Sequence, residues 1–235
     1  MGQRRGRFYG IGVGPGDPEL LTVKAVRILE RTPVVCYPQS IGGEGSLALE
    51  IARGAVSLDG KTLVPFPFPM RQPHTTETWQ GALKLVLGHL AEGRDCAFVT
   101  EGDPFLFSTF VYVYEELRAR YPDIEVEVVP GVTSVTAAAA RAGVPLAAGR
   151  ERIVLLPALY HPDAIGPALD AADTVVLLKV NRMLERTREE LAARGLLERA
   201  VLVGRATLPQ EQVLRGEAAL DGRLRDYFSL LIVRR

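Results

Sequence analysis

Short unbroken apolar runs alternate along this chain with stretches in which apolar residues recur at helical spacing. Arg7–Val13 is the first run and predicts a buried strand. In Glu19–Arg31 the residues Leu20, Val23, Ala25, Val26, Ile28 and Leu29 form one stripe and predict a helix, closed by Pro33. The same reading gives a strand at Val34–Tyr37, a Gly/Ser loop at Ile41–Ser46 whose Ser46 caps a short helix through Ile51, and a proline-rich extended segment at Val64–Pro69. A helix over Thr75–Ala91, a strand at Asp95–Thr100, a helix opened by Ser108 or Thr109 and reaching Arg120, and a strand at Ile124–Val129 stopped by Pro130-Gly131 complete this half. Strands alternating with helices of about 10 to 15 residues specify βαβ units and a parallel sheet.

From Val132 the pattern changes. An alanine-rich helix, TSVTAAAARAG, has Thr133 or Ser134 near its cap and Gly143 as its stop. Strands are predicted at Arg152–Leu156, Thr174–Val180 and Ala200–Ala206, with helices around Asp163–Ala171 and Arg182–Ala193. Glu211–Arg215 and Tyr227–Arg234 are strand-like, and the stretch between them is too short for a helical crossover, so an antiparallel pair is expected. The expected fold class is therefore α/β with two domains, residues 1–130 with a mostly parallel sheet and 131–235 with a mixed sheet.

Between the first strand and the first helix lies FYGIGVGPGDPELLT, with Gly10, Gly12, Gly14 and Gly16 alternating. Such spacing marks a tight turn that a ligand or another backbone can approach closely. It is not a phosphate cradle: G-x-G-x-x-G and G-x-x-x-x-G-K-[ST] are both absent, Pro15 and Pro18 remove amide donors, and Asp17 places negative charge where a phosphate would sit. A second turn, TEGDPFLFST, repeats Gly-Asp-Pro at Gly102-Asp103-Pro104 after another buried strand. Each Gly-Asp-Pro is by itself a competent turn. Two of them at the carboxyl ends of strands in one parallel sheet stand where such sheets bind ligands, and an acidic residue there suits ribose hydroxyls or a cation.

Composition narrows the function. The 235 residues are 47% hydrophobic, enough for a substantial core, and 28 basic residues balance 28 acidic ones, which disfavours a nucleic-acid role carried by net charge. Arginine outnumbers lysine 24 to four, a bias that reflects overall composition or supplies guanidinium forks for carboxylates. Cys36 and Cys96 lie in apolar runs and read as core residues; His74, His89 and His161 share no ligand spacing with them, so no metal site is expected. The basic N-terminus lacks an apolar segment, and no run approaches the ~18 apolar residues of a membrane span, so a soluble cytoplasmic protein is expected. G-x-S-x-G and H-E-x-x-H are absent and acid–base candidates are few, which points to chemistry driven by a cofactor that the protein binds and orients.

The succession GVGPGDPELLT (Gly12–Thr22), TEGDPFLFST (Thr100–Thr109), VVPGVTSVTAAAARAGVPLA (Val128–Ala147), TVVLLKV (Thr174–Val180) and RATLPQEQVLRG (Arg205–Gly216) resembles the tetrapyrrole methylases. The blocks occur in family order over nearly the whole chain. With VVCYP (Val34–Pro38) and the ending DYFSLLIVRR (Asp226–Arg235), the resemblance within that family is to the precorrin-2 C-20 methyltransferases of cobalamin biosynthesis. It implies two α/β domains with a cleft between them, a homodimer, S-adenosyl-L-methionine as methyl donor, and methylation of precorrin-2 or cobalt-precorrin-2 (cobalt-factor II). Another corrin carbon, or a non-tetrapyrrole acceptor such as an RNA ribose or a protein histidine, is the alternative within enzymes; a non-catalytic tetrapyrrole carrier is the alternative outside them. By motif position the cofactor residues are Pro15, Glu101, Gly102, Asp103, Leu106, Thr133, Ser134, Ala206 and Thr207. Leu178 and Lys179 join them where relatives offer a methionine to the adenine. Asp17 and Tyr37 are the candidate catalytic groups facing the macrocycle, each with a plainer reading as a turn Asp and a packed strand-end Tyr.

Overall fold

The computed structural model describes residues 5–41, 45–68, 76–158, 161–224 and 226–235, so most of the Gly/Ser loop, His74 and the start expected for the Thr75 helix lie outside the described residues. The chain divides into two compact units, Met1–Thr133 and Ser134–Arg235.

In the first unit the elements run β1 (Phe8–Gly12), α1 (Val23–Arg31), β2 (Val34–Ser40), α2 (Leu47–Ala55), β3 (Thr62–Phe68), α3 (Gln80–Ala91), β4 (Cys96–Thr100), α4 (Phe110–Arg120) and β5 (Val126–Val129). The five strands form one parallel sheet in the order β3-β2-β4-β1-β5. Alternate side chains serve two cores. Phe8, Cys36, Phe66, Cys96 and Phe98 pack under α3 and α4, while Tyr9, Ile11, Val13, Val35, Ala97 and Val99 pack under α1 and α2. Covering both faces is what makes these strands read as unbroken apolar runs.

Two expectations are corrected here. The helix expected from Glu19 begins at Val23: Pro18–Leu20 is a separate single turn capped by Asp17, Leu21 is extended, and the Thr22 hydroxyl accepts from the Ala25 N–H at 3.1 Å to start the helix afresh. Thr22→Ala is expected to lower stability by about 1 kcal/mol, read as a shifted urea midpoint at unchanged slope. The strand expected to end at Tyr37 continues through Pro38 to Ser40, paired with β3. Pro38 is tolerated because β4 pairs with β2 only as far as Cys36, which leaves the rest of that side without a ladder to interrupt.

The second unit runs α5 (Ser134–Ala142), β6 (Ile153–Pro157), α6 (Ile165–Ala171), β7 (Thr174–Leu178), α7 (Leu184–Ala192), β8 (Ala200–Gly204), β9 (Gln212–Arg215) and β10 (Ser229–Arg234). Its sheet is mixed, in the order β6-β7-β10-β8-β9, with only β6 and β7 parallel. The expected pairing of the last two strands does not occur: β8 lies between β9 and β10 and is antiparallel to both. Burial explains the order. The run Ser229–Val233 is wholly buried and takes the middle of the sheet between β7 and β8, whereas Gln212–Arg215, exposed at both ends, takes the edge.

Candidate functional site

In the first unit β1 sits between β4 and β5, and all three run the same way, so the loops leaving their carboxyl ends emerge side by side. The strand register continues past the strands. The Val13 N–H donates to the Thr100 carbonyl at 3.0 Å, the Gly102 N–H to Gly14 at 2.8 Å, and the Gly14 N–H to Gly102 at 3.4 Å. The third loop closes on these two. A methyl group on Gly131 would lie 2.2 Å from the Gly102 carbonyl oxygen and 2.8 Å from the Gly12 Cα; one on Gly12 would lie 2.5 Å from the same oxygen and 2.7 Å from Gly131. Three backbones therefore touch at a point that only glycine allows. The remaining strand glycine has another task, since a Cβ on Gly10 would overlap the ring of Phe110, the buried aromatic at the start of α4.

Carboxylates join the loops. Asp103 Oδ1 accepts from the Phe105 N–H at 2.9 Å and Oδ2 from the Gly131 N–H at 3.1 Å, so one side chain shapes the β4 loop and ties it to the β5 loop. Glu101 Oε1 accepts from the Ala48 N–H at 3.2 Å in the first turn of α2. Burial pushes the Glu101 carboxyl above the ordinary range, opposed by hydrogen bonds from its own and the Ala48 backbone. Asp17 Oδ1 accepts from the Glu19 N–H at 2.9 Å. Ser108 settles the choice of helix opener: its hydroxyl bonds Thr100 Oγ1 at 2.8 Å and accepts from the Phe110 N–H at 3.0 Å, while Thr109 makes no side-chain cap. The segments Val13–Thr22, Thr100–Thr109 and Val129–Thr133 carry Asp17, Glu19, Glu101 and Asp103 and not one Lys or Arg.

The structure thus brings Gly102 and Asp103 directly against the Gly14-Pro15 turn and Gly131, with Leu106 closing a turn through its N–H to the Asp103 carbonyl at 3.3 Å. Tyr37 is not in that knot. It stands half-buried in β2 with β4 between it and β1, packed on the core under α1 and α2. Two residues that sequence reasoning passed over are Phe105 and Phe107, 52% and 49% exposed at the tip of the β4 loop; Phe107 has φ +54°, a conformation that costs a non-glycine residue energy. Their only signal is two aromatics inside a turn.

The second unit has its own cluster. The carboxyl ends of β7 and β8 and the entry to β10 share one end of the sheet, where Leu230 pairs with Leu178 and Ser229 with Gly204. Here Leu178, Lys179, Ala206 and Thr207 are gathered. Lys179, Arg205 and Thr207 have φ of +56°, +51° and +69°, and Phe107 is the fourth non-glycine residue in that region among the described residues. The Lys179 ammonium lies 5.5 Å from the centre of the Tyr227 ring. Arg205 Nε donates to Asp226 Oδ2 at 2.6 Å, and the Thr207 N–H donates to Glu211 Oε2 at 2.6 Å. Arg205, Glu211, Asp226 and Tyr227 escaped sequence reasoning because turn strain and the pairing of distant charges leave no periodic trace. Thr133 ends the first unit and Ser134 opens α5 in the second, adjacent in the chain and both half-buried.

Thiol chemistry has no place in either cluster. Burial pushes the Cys96 thiol up to about 12 and the Cys36 thiol well above its usual value. Among the described residues no three His, Cys, Asp or Glu side chains are placed to hold a metal ion, and no helix is long and apolar enough to cross a membrane.

A parallel sheet whose loops interlock through glycine backbone and carboxylates, followed in the same chain by a mixed sheet, defines an α/β protein of two sheets. Comparison with known proteins makes that class specific. The family described as Tetrapyrrole (Corrin/Porphyrin) Methylases matches residues 7–221. A precorrin-2 C(20)-methyltransferase of a Sinorhizobium species is 33% identical over 97% of this chain and 95% of its own length. A cobalt-precorrin-2 C(20)-methyltransferase of Salmonella typhimurium is 35% identical over 97% and 96%. Among solved structures, the uroporphyrin-III C-methyltransferase of Thermus thermophilus in complex with S-adenosyl homocysteine superposes with a TM-score of 0.70 at 27% identity, covering 98% of both chains. The chain belongs to the tetrapyrrole methylase family.

Proposed function

We propose that this protein transfers the methyl group of S-adenosyl-L-methionine to C-20 of precorrin-2 or its cobalt-bound counterpart, a step of cobalamin biosynthesis. The observation that carries the reading is full-length identity of 33% and 35% to two methyltransferases named for that carbon, on a chain with an intact glycine and Asp103 knot. The donor set fits the cofactor. Loops with four carboxylates and no basic side chain favour a sulfonium, an ammonium and ribose hydroxyls, and disfavour a phosphate. The glycine backbones allow close approach, and the Asp103 oxygens, each accepting one N–H, retain lone pairs for hydroxyl donors.

When bound, S-adenosylmethionine supplies an electrophilic methyl group to an electron-rich carbon. The chain contributes binding and orientation, which for a well-aligned pair of reactants is where most of the acceleration arises. In this reading Pro15, Glu101, Gly102, Asp103, Leu106, Thr133, Ser134, Leu178, Lys179, Ala206 and Thr207 hold the cofactor, and Asp17 and Tyr37 face the macrocycle. The exposed rings of Phe105 and Phe107 offer it an apolar surface. The protein works as a cytoplasmic homodimer without nucleic-acid or membrane partners.

Isothermal titration of the folded chain with S-adenosylhomocysteine tests the cofactor assignment. Micromolar binding at one site per chain is expected, and no heat of binding at those concentrations would overturn it.

A further inference from the structure

The turn after β8 is held in an unfavourable shape, and the side chain that holds it lies outside every residue assigned above. Thr207 has φ +69°, and two residues earlier Arg205 has φ +51°. For an L-residue this region brings Cβ against the carbonyl oxygen, so such a turn persists only where its surroundings enforce it. Within the turn, Leu208 N–H donates to the Arg205 carbonyl at 2.9 Å and Glu211 N–H to the Leu208 carbonyl at 2.9 Å. Neither bond fixes the Thr207 amide. That amide donates at 2.6 Å to Glu211 Oε2, a side chain 15% exposed. Both Glu211 oxygens in turn accept from Arg141 Nε on α5, at 2.8 and 2.9 Å.

We propose that Glu211 is a positioning residue for the cofactor: braced by Arg141, its carboxylate fixes the Thr207 amide and so holds the Ala206-Thr207 backbone in the left-handed shape that the ligand meets. This rests on the assignment of Ala206 and Thr207 to the S-adenosylmethionine site. Glu211 acts through Thr207 and is not itself a ligand contact. The group is suited to the task because one side chain meets Arg141 and the Thr207 amide together. Asp226 holds the Arg205 side chain, not its amide, accepting from Arg205 Nε at 2.6 Å and from the Phe228 N–H at 2.8 Å.

The claim yields a double-mutant test that a merely stabilising residue would not pass. Glycine adopts positive φ without steric cost, so Thr207→Gly removes the need for the brace. Glu211→Ala is expected to weaken S-adenosylhomocysteine binding by about tenfold in the Thr207 chain, the order set by releasing one left-handed residue, and by less than about threefold in the Thr207→Gly background. Equal losses in the two backgrounds, or no loss in either, would overturn the proposal. Glu211→Gln keeps an acceptor oxygen for the amide and is expected to bind within about threefold of the unmodified chain. It also covers the case in which Glu211→Ala does not fold, because a tenfold loss in Glu211→Gln, which keeps the acceptor, would overturn the proposal. Hydrogen exchange at residue 207, measured without ligand on the same proteins, separates this claim from the cofactor assignment. Faster exchange in Glu211→Ala and unchanged exchange in Glu211→Gln support the brace even if the unmodified chain binds no S-adenosylhomocysteine, a result that would count against the cofactor site alone. Unchanged exchange in Glu211→Ala would overturn the brace.

Discussion

Gly131→Ala is expected to abolish binding of S-adenosylhomocysteine and to lower the stability of the protein by about 3 kcal/mol, the upper end of what an added methyl group costs in a packed site. The added carbon would stand 2.2 Å from the Gly102 carbonyl oxygen and 2.8 Å from the Gly12 Cα. Both neighbours are backbone, held by the Gly14–Gly102 bridge on one side and by the β1–β4 ladder on the other, so no side chain can swing away. The β5 loop must move instead, and its N–H then leaves Asp103. Gly60→Ala is the control for an added methyl group that meets no neighbour. Gly60 has φ +72° with nothing within 4 Å of an added Cβ, so that change carries only the conformational cost of about 1 kcal/mol. Titration with the ligand and urea unfolding of the two variants separate crowding at the knot from strain alone. A Gly131→Ala protein that binds like the parent would show that the contact of the three loops is not part of the binding surface.

Asp103→Asn is expected to weaken cofactor binding by roughly 5- to 100-fold, because an amide left without its acceptor costs about 1–3 kcal/mol and each tenfold corresponds to about 1.4 kcal/mol. Asparagine has one carbonyl oxygen where two backbone N–H groups, of Phe105 and Gly131, now donate to two carboxylate oxygens. Whichever amide keeps the oxygen, the other meets the side-chain NH2. The substitution also removes a negative charge from a loop set that contains no basic residue, which lessens its attraction for a cation. Asp103→Ala is expected to be no worse than about threefold beyond Asn, since Asn already forfeits one of the two bonds and the charge. A titration in which Asn behaves like Asp would place the importance of this residue in its shape alone.

Much of this arrangement is legible in the sequence. The parallel sheet followed from unbroken apolar strands separated by helical spacing, and the two Gly-Asp-Pro turns were placed at strand ends because apolar runs stop there. What periodicity could not supply was the order of strands. That β4 and β5 flank β1, and so bring Gly102 and Gly131 to Gly12, depends on pairings between residues about 90 and 120 positions apart in the chain. The same limit explains the difference from the expected pairing of Glu211–Arg215 with Tyr227–Arg234: a short connection argues for neighbours, but the buried run Ser229–Val233 takes the centre between β7 and β8. The Thr22 cap was readable in principle as a Thr ahead of an apolar stripe, but Leu20 and Leu21 extended the apparent stripe backwards. Glu211 and Asp226 had no such trace, since Glu211 acts on the amide of Thr207, whose positive φ is set by tertiary structure, and Asp226 pairs with the side chain of Arg205 far away in the chain.

The central claim concerns the acceptor carbon, and product analysis addresses it most directly. The protein is incubated with S-adenosylmethionine carrying a 13C methyl group and with precorrin-2, metal-free or cobalt-loaded, and the product is followed by mass spectrometry and carbon NMR. One labelled methyl group on C-20 in at least one of the two substrates is the result this account predicts. A labelled methyl on any other carbon, or none transferred by a protein that binds S-adenosylhomocysteine, would contradict it.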